Sequence, residues 1–136
     1  MKIMKAKHFL LIGFITLVAS CTKDSETTPT TNTDSDKFVG SWLCNEGSGT
    51  PFTIEISKVS STEISIKNFY GLGTHGNAQC EVSGNSLTIP FQDVNDLTIV
   101  MNASGSGIYS KTGSSEKIKM NYVVDGDTLN NVVCTR

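Results

Sequence analysis

The sequence predicts an all-β domain: a small antiparallel up-and-down β-barrel of about eight strands, with a β-sandwich as the alternative for the same strand set. Three observations lead there. From residue 38 onward apolar and polar residues alternate with period two, the pattern of strands that bury one face. Turn residues interrupt this pattern at intervals of about 8–12 positions. The later half also lacks any Ala-, Leu-, Glu- and Lys-rich stretch of the kind that favours a helix.

The first strand is expected in FVGSWLC, residues 38–44. FTIEIS at 52–57, ISIK at 64–67, AQCEV at 78–82 and LTIPF at 87–91 follow, each alternating. Ile99-Val100-Met101 belongs to a further strand, IKMNYVV at 118–124 is the longest run, and VVCTR at 132–136 closes the chain. Between them lie Glu46 to Gly49, Ser83-Gly84-Asn85, Asp93 to Asp96 and Asp125-Gly126-Asp127. The Ser-Gly-Asn and Asp-Gly signals suit two-residue hairpins, where Gly and Asn tolerate positive φ. Pro90 lacks an N–H for the ladder and is expected at an edge or a bulge.

The first 36 residues read differently. Lys2, Lys5 and Lys7 precede an apolar run, FLLIGFITLV at 9–18. Its length fits a signal h-region and falls short of the about 20 apolar residues that span a bilayer. Residues 22–36, TKDSETTPTTNTDSD, hold no aliphatic or aromatic side chain and read as a flexible tether. The organisation is therefore 1–20 signal peptide, 21–36 tether and 37–136 β domain. The chain has 11 basic and 13 acidic residues, and without the three leader lysines the balance is −5. A chain this acidic is a poor partner for nucleic acid, which calls for a clustered basic face. Cys44, Cys80 and Cys134 remain downstream of Cys21, an odd number. In an oxidising compartment this reads as one disulfide and one buried thiol.

Leu17-Val18-Ala19-Ser20-Cys21 resembles the lipobox of bacterial lipoproteins. The resemblance implies diacylglycerol on the Cys21 thiol, cleavage before Cys21, and a stable membrane anchor through more than one acyl chain. Lys23-Asp24-Ser25-Glu26 after it is similar to the short charged signal with which Bacteroidetes lipoproteins reach the cell surface. An outer-membrane, lipid-anchored location, extending to the surface, is implied. Gly40-Ser41-Trp42 near the first strand resembles the lipocalin and wider calycin signature, whose Trp packs under an Arg from the last strand. Arg136 is the sole arginine of the chain and stands in the last strand. Placing Cys44 opposite Cys134 in neighbouring first and last strands places Trp42 opposite Arg136 in the same register, all four on one face. The spacing then suits a disulfide; a Cys44–Cys80 bond would instead reopen the sandwich. Ile66-Lys67-Asn68-Phe69-Tyr70-Gly71-Leu72-Gly73 and the terminal Cys134-Thr135-Arg136 are similar to small lipocalin-like domains of Bacteroidetes lipoproteins, which brings no agreed activity with it.

Candidates for chemistry are few. Gly71-Leu72-Gly73-Thr74-His75-Gly76 has the spacing of a dinucleotide fingerprint, but a strand pattern follows where a helix is required. His75 is the one histidine after processing, with no nucleophile motif around it, and Cys80 alternates in phase with Ala78 and Val82 as a core thiol. No metal-ligand spacing and no cofactor motif is present, so no metal, no cofactor and no enzyme are expected. The function expected is a non-catalytic binding module for a small apolar or amphipathic ligand, lined by Ile54, Ile56, Ile66, Met101, Met120 and Tyr122. The alternative is a cell-surface interaction domain with a filled barrel that binds protein or glycan through its loops.

Overall fold

The computed structural model describes residues 32–136. Cys21, the leader and residues 22–31 of the tether lie outside the described residues. Eight antiparallel strands close into a barrel in chain order: β1 Gly40–Asn45, β2 Phe52–Lys58, β3 Glu63–Lys67, β4 Asn77–Ser83, β5 Ser86–Asn95, β6 Val100–Thr112, β7 Ser115–Val124 and β8 Asp127–Thr135. Closure comes from β1 pairing with β8, with Leu43 opposite Thr135, Cys44 opposite Cys134 and Asn45 opposite Val133. The up-and-down barrel is the predicted fold, and a sandwich is excluded by this pairing.

The alternation explains which side chains fill the interior. Trp42 and Cys44 of β1, Ile54 and Ile56 of β2, Ile64 and Ile66 of β3 and Ala78, Cys80 and Val82 of β4 all point inward and are buried. Ile118, Met120, Tyr122 and Val124 of β7 join Val132 and Cys134 of β8 in the same cluster. Eight strands enclose a space that such side chains fill.

Some boundaries depart from the sequence pattern. Phe38 and Val39 precede β1 rather than starting it, and Phe38 is fully buried beneath the barrel. Asp93 lies inside β5, and the turn comes later, where Asp96 caps Thr98 and Ile99. The strand expected around Ile99-Val100-Met101 is the start of β6, which runs to Thr112 and returns through a turn at Gly113. Its Ser104-Gly105-Ser106-Gly107 centre carries no apolar alternation. The reason is close packing: a Cβ at Gly105 would sit 2.5 Å from the Asn121 carbonyl oxygen and 2.5 Å from Tyr122 Cβ. Pro90 stands at an irregularity, as expected, with the β5–β6 register shifting between Ile89 and Gln92.

The two ends of the barrel differ. Strand order puts the β2–β3, β4–β5 and β6–β7 connections at one end, called lower here, with the entering chain and Arg136. The Asn45–Phe52 loop, the segment between β3 and β4, the β5–β6 turn and the β7–β8 turn form the upper end.

Candidate functional site

At the lower end the entering segment acts as a plug. Thr33 donates its N–H to Asp36, and the buried Ser35 donates its hydroxyl to the Ser60 carbonyl, tying the segment to the β2–β3 turn. Phe38 then enters the barrel, and its carbonyl accepts the Trp42 indole N–H at 2.7 Å. Tyr109 packs against both rings, with centroids 5.7 Å from Phe38 and 6.3 Å from Trp42. Arg136 closes the stack: its guanidinium carbon lies 4.2 Å from the Trp42 ring centre. The guanidinium also donates to the Val39 and Lys37 carbonyls and to Glu116. Beside it, the Cys44–Cys134 disulfide joins the first and last strands across 90 residues.

Glu116 is the charged centre of this closure. It accepts from Tyr109 Oη and Lys111 Nζ, both at 2.9 Å, and from Arg136 Nε. These donors, Lys111 foremost, hold its carboxyl at about 2, below the ordinary 4.5. Asp36 is held at about 2 by Lys58 and the Thr33 amide. A carboxylate whose folded value is depressed stabilises the fold above its ordinary value, and this contribution is lost as pH falls toward the folded one. The midpoint of thermal unfolding should therefore drop between about pH 5 and pH 2. Glu116→Gln should flatten this acid limb and lower the midpoint at pH 7, read by circular dichroism across the pH series. A variant with an unchanged acid limb would assign that limb to Asp36 and other carboxylates.

The upper end is corked by residues 68–76. Asn68, Tyr70, Gly71 and Gly73 all adopt positive φ, which folds the segment into two short 3-10 turns, Phe69–Gly71 and Gly73–His75. Asn68 holds the fold in place, donating to the Thr53 carbonyl at 2.7 Å and accepting from the Gly73 N–H at 2.6 Å. The cork turns Phe69 inward against Tyr122, 4.9 Å between centroids, and Tyr70 edge-on to the same ring. The Tyr122 hydroxyl donates to Glu46 at 2.6 Å across the rim. The Gly-x-Gly spacing is thus explained by backbone conformation: it builds a lid, and β4 follows it directly.

The candidate ligand-lining residues are placed accordingly. Ile54, Ile56, Ile66, Met120 and Tyr122 are buried in one cluster with Trp42, Phe38 and Phe69, and Met101 packs against it. They belong to one packed hydrophobic cluster of the interior. The most distinct clefts among the described residues lie on the outer wall and at the rims, and none is lined by any of these six.

One rim cleft, of about 390 Å³, runs between the cork and the β5–β6 turn, lined by Leu72, Gly73, Thr74, His75, Asp96, Leu97 and Thr98. Leu97 is 80% exposed, and Ile99 and Val100 beside it are exposed as well. Glu46, Asp93, Asp96, Asp125 and Asp127 lie around this end, and Lys67 is the lysine nearest to it, while Lys37, Lys58, Lys111, Lys117 and Arg136 gather at the lower end. The upper rim is therefore net negative, whereas at the lower end Asp34, Asp36, Glu63, Glu81 and Glu116 are offset by these cations. The sequence pattern marked Gly71 to Gly76 only as a candidate nucleotide loop, and Leu97 and Thr98 across the cleft fall in a turn where periodicity carries no signal.

His75 is exposed on the cork. Burial pushes the Cys80 thiol up to about 12, so it is unreactive in the closed barrel. Among the described residues no group of three or more His, Cys, Asp or Glu side chains is arranged to hold a metal ion.

No curated protein and no solved structure matches this chain. Residues 4–129 match a protein family described as a family of unknown function, DUF6705. That span covers most of the 136 residues, and the chain belongs to the DUF6705 family.

Proposed function

We propose that the chain is an exported, lipid-anchored interaction module: Cys21 holds it to the outer membrane, and a filled barrel presents its upper rim to a protein or glycan partner. The observation that carries the interaction reading is the packed interior, in which the side chains expected to line a ligand cavity pack against one another. The tether joins the domain at the lower end, where the plug begins at Thr33. Cys21 precedes Asn32 by 11 positions, a reach of roughly 40 Å when fully extended. The upper rim lies at the opposite end of the barrel from the point where the tether joins, and it carries the exposed Leu97, Ile99 and Val100 among carboxylates. Exposed apolar side chains rimmed by polar groups are the usual composition of a recognition surface.

Two measurements test this reading. The Cys21→Ser variant should lose lipid labelling and move from the membrane to the soluble fraction; retention in the membrane would overturn the anchor. The lipid-free chain, incubated with a lipid extract of the source cells, should keep its bare mass in native mass spectrometry. A retained adduct of defined mass would overturn the filled-barrel reading and make the protein a carrier of a small apolar ligand.

A further inference from the structure

The β4–β5 ladder is short for its strands. It consists of Glu81 opposite Thr88, Val82 opposite Leu87 and Ser83 opposite Ser86. Continued upward, the same register would place Gln79 opposite Pro90. Proline has no N–H, so the Gln79 carbonyl loses its ladder donor there. The Gln92 side chain stands in for it. Its Nε2 donates to the Gln79 carbonyl at 2.7 Å and to the Pro90 carbonyl at 3.1 Å, and its Oε1 accepts the Gln79 N–H at 2.7 Å. A primary amide offers the same donor and acceptor as a peptide group, so one side chain replaces one rung of the sheet.

The wall is thin at this point. A cleft of about 210 Å³ lies over the seam, lined by Glu63, Gln79, Cys80, Glu81 and Pro90. Cys80 is an inward, buried residue, yet it helps to line this outer cleft. The strand on the other side of β4 is fully laddered, with five pairs from Glu63 opposite Glu81 to Lys67 opposite Asn77. Both ends of the barrel are corked, and the seam is one of two boundaries with a three-pair ladder; the other, β1–β8, is bridged by the Cys44–Cys134 disulfide.

We infer that the barrel has a lateral opening between the upper halves of β4 and β5, with Gln92 as its latch. Release of the Gln92 amide parts the strands above Glu81 and Thr88 and uncovers the inner face at Ala78, Cys80 and Ile89. The plug at Phe38 and the cork at Phe69 stay in place during this movement. The opening is a local event, distinct from global unfolding, and it gives solvent and small molecules a side entry to the core. This inference does not depend on the proposed partner at the rim.

Cys80 is the built-in reporter. In the full chain carrying Cys21→Ser, with the Cys44–Cys134 disulfide intact, Cys80 is the single free thiol. Its reaction with an aromatic disulfide reagent under native conditions reads the opening. Gln92→Ala removes both bonds to Gln79 and should accelerate labelling roughly tenfold. Adding Pro90→Ala restores the backbone donor and should bring the rate back toward that of the parent chain. Tyr109→Phe, which loses the bond to Glu116 at the far end of the barrel, controls for general destabilisation. The inference is overturned if Gln92→Ala leaves the rate unchanged, if Tyr109→Phe raises it equally, or if Pro90→Ala gives no rescue.

Discussion

Replacing both Cys44 and Cys134 by Ala should lower the unfolding free energy by about 4–5 kcal/mol, the loop-entropy value for a bond closing roughly 90 residues. This is a large share of the about 5–15 kcal/mol that holds a typical domain folded. The two residues are directly opposed in the β1–β8 ladder and fully buried. The β1–β8 ladder is given by three residue pairs, fewer than any other strand pair except β4–β5. Loss of the bond therefore falls on a boundary with few hydrogen bonds of its own. Urea unfolding followed by circular dichroism should show a lower midpoint and a steeper slope, because the denatured chain without the cross-link exposes more surface. A loss below about 1 kcal/mol would mean that the Arg136 contacts alone keep the barrel shut.

The second large effect is expected at Trp42. Trp42→Ala should cost about 3–5 kcal/mol, the range for emptying an aromatic site in a core. The side chain is fully buried, bonded to the Phe38 carbonyl, packed edge-on to Tyr109 and covered by the Arg136 guanidinium. Its removal leaves the Phe38 carbonyl without its indole donor and the Arg136 guanidinium without its aromatic face. Trp42→Phe keeps most of the volume and should cost less than half as much. Trp42 is the one tryptophan of the chain, so the measurement must be made by circular dichroism rather than fluorescence. Combined with loss of the disulfide, the two effects should not add, because both sites brace the same strand pair. A Trp42→Ala protein with unchanged stability would remove the closing role assigned to this cluster.

Much of this fold was legible because the barrel obeys a period of two nearly everywhere. The runs at 52–57, 64–67, 78–82 and 118–124 fall within β2, β3, β4 and β7. The closing register was legible too, since Cys44 and Cys134 stand at the same offset as Trp42 and Arg136. Strand β6 was not, because its centre is built of Gly and Ser that β7 needs for close approach. Phe38 was read as a strand residue; it is the tip of a plug, and its apolar character suits either role. The rim cleft and the Gln92 bridge escaped for one reason. Both depend on residues brought together from separate parts of the chain, Leu72 and Leu97 on the two sides of the cleft and Gln92 bonded to Gln79. Neither pair has a spacing that a single strand's periodicity reveals.

The joining of first and last strands has a consequence for synthesis. Cys44 leaves the ribosome, and any export channel, well before Cys134, and Cys80 comes between them. During that interval the single downstream partner available to Cys44 is Cys80, and in an unfolded chain the Cys80 thiol has no burial to suppress it. Where an oxidant meets the emerging chain, a 44–80 bond is expected to form first, and the 44–134 bond is the one the completed barrel holds. The protein should depend on a disulfide isomerase, or on delayed oxidation, for efficient maturation. Cys80→Ala should relieve that dependence while leaving the native bond in place.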